Sequence, residues 1–104
     1  MKTQKEILTF LSDNRKYFKE NFNIVRIGLF GSYSRGDQTV NSDIDLVVEF
    51  EENTSDLYEK KNRLKEYIKE KLGLNADICR EKYIKPRIKK SILRETQHLS
   101  SDER

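Results

Sequence analysis

The sequence predicts an α/β (α+β) fold: a small mixed β-sheet of about three or four strands, covered by helices on one face. Three observations carry this expectation. Residues 24–30 and 43–50 are β-branched, apolar runs bounded by Gly31 and by a polar loop, as strands are. Apolar residues on either side of them recur at helical spacing. The segments follow one another as helix, strand, turn, strand, helix, strand, helix. At 104 residues the chain accommodates a single domain, 1–104, which buries roughly 60–65% of its unfolded surface.

Thr3 and Glu6 form a capping-box pattern, and Ile7, Leu11 and Phe18 then share one helical face, so a first helix is expected over about 4–20. Residues 24–30 follow as a strand. Gly31 punctuates the chain, and 32–35 is too short for more than a turn or a brief helix. Residues 36–42 are loop-like, and 43–50 alternates at its start before becoming apolar. Leu57, Leu64, Ile68 and Leu72 recur at helical spacing, after candidate caps Thr54 and Ser55 and before a C-cap glycine, Gly73. A short third strand is expected over 74–79. Pro86 is suited to open a final helix with Ile88, Ile92 and Leu99 on one face, and the tail 100–104 is expected to fray.

Composition excludes several classes of protein. With 35% hydrophobic and 10% aromatic residues the chain is expected to fold rather than stay disordered. No apolar run approaches the roughly 20 residues of a membrane helix. The first residues mix Lys2, Lys5 and Glu6 with short apolar stretches, unlike a secretion signal. The single cysteine, Cys79, excludes an internal disulfide and a multi-cysteine zinc site, and suits a reducing cytoplasm. The net charge of +3 is unevenly spread: residues 37–56 carry seven acids and no Lys or Arg, and residues 80–94 carry seven bases against Glu81 alone. Such runs serve metal and polyanion binding, or are simply solvated faces.

The sharpest chemical signal is Asp43-Ile44-Asp45 at the start of the second strand. Strand side chains alternate, so Asp43 and Asp45 point to one side while Ile44, Leu46 and Val48 point to the other, where helices can cover them. Two ionised carboxylates so placed repel, and a hard divalent cation between them removes that cost. Taken alone, the pattern is more often two solvated acids. Gly31-Ser32 directly follows a strand: glycine permits a tight turn and close approach of a phosphate, and the Ser32 hydroxyl adds a donor. Arg35, one turn later, either bonds the same phosphate or locks the loop onto an acid. If the third strand pairs beside the second, Asp77 reaches the same open face as Asp43 and Asp45. The three acids would then hold two cations or take a proton from an attacking hydroxyl.

Together, Gly31-Ser32-Tyr33-Ser34-Arg35-Gly36 and Ser42-Asp43-Ile44-Asp45-Leu46 resemble the signature of the polymerase-β-type nucleotidyltransferase superfamily, and the short chain resembles its minimal nucleotidyltransferases. The resemblance spans about residues 24–79. It implies that Gly31 and Ser32 hold a nucleotide triphosphate, that Asp43 and Asp45 bind metal, and that Asp77 is the third acid. Arg35 and Gly36 match the motif, and Ser34 stands where alanine is common. It also implies two Mg²⁺ ions and ATP as donor. Stand-alone domains of this kind resemble the antitoxin of a toxin–antitoxin pair, transferring AMP to a tyrosine of a HEPN-type ribonuclease toxin. The alternatives are a non-catalytic antitoxin that neutralises by binding, or an enzyme acting on a small molecule or RNA end. Nucleic acid is a possible partner through the basic run, though not the favoured one, and no membrane partner is expected. His98 is expected at the surface and not as a ligand. Cys79 is expected as a half-buried side chain rather than a nucleophile, and Tyr33 either stacks on a base or lies at the surface.

Overall fold

Alternation along the second strand sets the two faces of the sheet. The computed structural model describes residues 2–81 and the backbone of 97–100. In β2 (Ile44–Phe50), Ile44, Leu46, Val48 and Phe50 are buried among the helices, while Asp45 and Glu49 are half-buried on the opposite face. β1 (Ile24–Phe30) adds Ile24, Ile27 and Leu29 to the same core. Helices α1 (Gln4–Asp13), α2 (Arg15–Phe22) and α4 (Leu57–Leu72) cover it with Ile7, Leu11, Phe18, Phe22, Leu64 and Ile68. Each such side chain contributes about 1.5–3 kcal/mol when fully buried.

The sheet runs β3-β2-β1-β4, where β3 is Ala76–Arg80 and β4 is Gln97–Ser100. β1 is antiparallel to both β2 and β4, whereas β3 lies parallel to β2. A parallel pair needs a crossover, and α4 supplies it. The mixed sheet with helices on one face is the expected fold.

Three boundaries differ from expectation. The first helix is two: Asn14, at φ −105° and ψ 11°, separates α1 from α2. Its Nδ2 donates to the Phe10 carbonyl at 2.8 Å, and its Oδ1 accepts from the Tyr67 hydroxyl at 2.6 Å. An amide side chain that competes with the backbone, and is held from α4, ends the helix where periodicity continues. Thr54 and Ser55 do not cap α4; Asp56 holds the N-cap position in a left-handed conformation, and the Thr54 hydroxyl instead donates to the Glu51 carbonyl at 2.5 Å. Gly73, at φ 73°, ends α4 as expected, its amide donating to the Lys69 carbonyl at 2.8 Å.

The third correction concerns the end of the chain. Leu99, assigned by its spacing to a final helix, lies in β4 opposite Ile27, and Ser100, expected to fray, pairs with Arg26. The edge of β1 offers a ladder to a segment more than 60 residues away, a pairing that local periodicity does not reveal. Pro86, Ile88, Ile92 and residues 101–104 lie outside the described residues. Among the described residues, no helix is long and apolar enough to cross a membrane.

Candidate functional site

The site forms where β1 ends. At Gly31 (φ 78°, ψ −155°) the chain leaves the strand and enters α3 (Ser32–Arg35), a single turn. The Gly31 carbonyl accepts from the amides of Ser34 at 3.0 Å and Arg35 at 3.1 Å, and the Ser32 carbonyl accepts from those of Gly36 at 2.9 Å and Asp37 at 3.1 Å. The amides that open such a turn have no partner within it. Ser32 is half-buried beside them. Tyr33 neither lies at the surface nor is free to stack on a base: it is 1% exposed and packed into the core, anchoring the turn from below.

Asp45 sits against this turn. Its cross-strand partner is Phe30, the residue before Gly31. A Cβ built on Gly31 would collide with Asp45 Oδ2 and lie 3.0 Å from its Cγ. Glycine is thus required here twice, by the positive φ and by the carboxylate occupying the space.

Asp77 joins by register. β3 pairs in parallel with β2 so that Asp77 stands opposite Asp45 and Cys79 opposite Val47, and partners in a ladder share a face. Asp43 precedes β2 by one residue and is exposed, as is Asp77. Burial, then the negative charges of Asp77 and Asp43, push the Asp45 carboxyl above its usual pKa, against an opposing pull from Arg35. The three acids therefore feel one another at Asp45.

Among the described residues, no three His, Cys, Asp or Glu side chains close into a ready cage for a metal ion. The arrangement is one half-buried carboxylate flanked by two exposed ones. That donor set fits Mg²⁺, which binds through one or two carboxylates plus substrate phosphates rather than an all-protein cage. Burial is the largest cause of the raised Asp45 pKa; the part that comes from the Asp77 and Asp43 charges is repulsion that a cation there would offset.

Arg35 is bound to an acid: its Nε donates to Asp37 Oδ2 at 3.1 Å, with both side chains largely exposed. Downstream, the Ser42 amide donates to the Thr39 carbonyl at 3.0 Å and the Thr39 amide to Ser42 Oγ at 2.9 Å, shaping the approach to Asp43. Cys79 is half-buried, and burial followed by Asp77 raises its thiol pKa, which leaves little thiolate, in line with a non-nucleophile. His98 lies in β4 with its backbone opposite Gly28. Of the basic run, Arg80 is described; it donates to Glu49 Oε2 at 3.0 Å, and residues 82–94 lie outside the described residues.

Sequence reasoning missed Gln4, whose Nε2 donates to the Ser34 carbonyl at 2.5 Å across 30 residues of chain. No local pattern marks such a contact.

Comparison with known proteins adds an independent line. Residues 11–99 match the family model described as the nucleotidyltransferase domain. The chain is 39% identical over 99 residues to protein adenylyltransferase MntA of Thermococcus cleftensis, covering 95% of this chain and 98% of that one. It is 44% identical over 93 residues to MJ1379 of Methanocaldococcus jannaschii, a candidate protein adenylyltransferase, covering 88% and 93%. The solved structure of a candidate minimal nucleotidyltransferase superposes with a TM-score of 0.74 at 30% identity, covering 92% of this chain and 95% of that one. A toxin–antitoxin solved with AMP-PNP shares the fold, with a TM-score of 0.63 at 22% identity over 91% of this chain and 70% of that one.

Proposed function

Because this chain belongs to the nucleotidyltransferase domain family, we propose that it transfers AMP from ATP to a hydroxyl on a partner protein, a tyrosine of a HEPN-type ribonuclease toxin, and so acts as that toxin's antitoxin. The observation that carries the site assignment is the apposition of Asp45 to Gly31 on one side and to Asp77 on the other. The protein acceptor is supported by the near full-length match to adenylyltransferase MntA, and the toxin by structural neighbours solved as toxin–antitoxin complexes.

In this reading Gly31 and Ser32 hold the triphosphate through the turn amides and the Ser32 hydroxyl. Asp43, Asp45 and Asp77 would hold Mg²⁺, which would neutralise the phosphates and lower the pKa of the attacking hydroxyl. The acceptor oxygen forms a bond to the α-phosphorus as the bond to the pyrophosphate oxygen breaks. Asp77, exposed at the edge of the acid cluster, takes the proton that the hydroxyl gives up. The chain's main contribution is positioning: a fixed turn and a fixed carboxylate meet at one point. ATP as donor and a single Cys79 kept reduced both suit the cytoplasm.

The test is the intact mass of the protein encoded by the neighbouring gene, after incubation with this chain, ATP and Mg²⁺. A gain of whole adenylyl units, absent with Asp43→Ala/Asp45→Ala, is the expected result. A tight complex with no mass gain would replace catalysis by neutralisation through binding. Transfer at full rate by the double variant would overturn the site.

A further inference from the structure

Two hydrogen bonds tie the first residues of the chain to the turn around Ser32. Gln4 Nε2 donates to the Ser34 carbonyl at 2.5 Å, within α3, and Gln38 Nε2 donates to the Lys2 carbonyl at 3.3 Å, in the loop that follows it. The segment 2–4 thus holds the turn at Ser34 and the loop that follows it at Gln38. Both residues of the strap lie ahead of the 11–99 stretch that matches the family.

The anchoring end is stiff. Gln4 opens α1 directly behind a reciprocal capping box, in which the Glu6 amide donates to Thr3 Oγ1 at 3.1 Å and the Thr3 amide to Glu6 Oε1 at 2.8 Å. The anchored end is not self-supporting, since α3 has four residues and one helical turn is unstable by itself. Tyr33 fixes its inner side in the core. The Ser34 carbonyl is fixed by Gln4.

We propose that Gln4 is a positioning residue for the nucleotide: by holding the Ser34 carbonyl it presets the turn whose Gly31 and Ser32 receive the triphosphate. The inference rests on that assignment of Gly31 and Ser32. Without the Gln4 bond, Ser34 loses one of the contacts that order the turn, and the ordering that ATP must then supply is subtracted from affinity. Once ATP is bound its own contacts hold the turn, so the loss falls on binding and not on the rate at saturation.

The test is calorimetric titration of ATP in the presence of Mg²⁺ against wild type, Gln4→Met, Gln4→Lys and Ser32→Ala. Methionine keeps the length and helix preference of glutamine but lacks the donor, and lysine restores one. Gln4→Met is expected to weaken ATP about three- to tenfold, the size of one hydrogen bond, and Gln4→Lys to bind at least as well as wild type. A merely structural role for Gln4 would lower the melting temperature and leave the affinity of the folded protein unchanged. Weakened binding by Ser32→Ala with Gln4→Met unchanged would overturn the role of Gln4 alone. Gln4→Lys as weak as Gln4→Met would also overturn it, by tracing the effect to packing. Unchanged binding by both Ser32→Ala and Gln4→Met would overturn the turn as the nucleotide site.

Discussion

The carboxylate of Asp45 occupies the space in which a side chain on Gly31 would begin, so the turn after β1 and the acid on β2 fit only as a pair. This close approach sets the phosphate end of the proposed site directly against its metal end.

Gly31→Ala should therefore damage both ends at once. The added methyl drives Asp45 out of place and also meets a φ of 78°. Alanine at positive φ destabilises by more than about 1 kcal/mol, and a misplacement of this kind lowers kcat about 10²-fold. Thermal melting and the rate of adenylyl transfer measure the two losses. A variant with wild-type transfer would show that the apposition is dispensable.

Asp45 should also shape the pH dependence of stability. Its folded-state pKa lies above the ordinary 3.8, so the folded chain holds this proton more tightly than the unfolded chain does. The stability it confers is complete below 3.8 and is lost as pH rises through the higher folded value. Asp45→Asn should melt above wild type at about pH 7, with the gap closing as the acid protonates in both states. Melting curves across this range read the effect directly; a gap independent of pH would assign it to something other than this carboxyl. Mg²⁺ should raise the wild-type melting temperature more than that of the variant.

The Arg35–Asp37 pair is largely exposed, so breaking it by Asp37→Ala should cost no more than about 1 kcal/mol. Arg35→Ala carries a second effect, because the Arg35 charge lowers the Asp45 pKa. NMR titration of the Asp45 carboxyl should show a further upward shift in Arg35→Ala. An unchanged titration would mean that Arg35 serves only the loop.

Tyr67→Phe removes the donor to Asn14 Oδ1 and should cost about 1–3 kcal/mol, depending on whether water reaches the abandoned oxygen. The Tyr67 ring packs on Phe10, Tyr17, Phe18 and Phe22, none of them in the site. Denaturant unfolding should fall while the transfer rate per folded molecule holds.

Local patterning determined much of this protein. The two long strands, the core face of Ile44, Leu46 and Val48, and the Gly73 stop of α4 follow from alternation, helical period and backbone preference, which act between neighbours. The Gly-Ser turn and the Asp43/Asp45 pair were legible for the same reason. Tertiary structure decided what depends on distant partners: the break at Asn14, made by a hydroxyl on α4, and the strand at 97–100, made by the edge of β1. It also turned Tyr33 inward and set Asp77 opposite Asp45 through the β2–β3 register. Most of all it placed Gln4 on Ser34, a contact invisible to any short window, because folding alone brings together residues 30 positions apart.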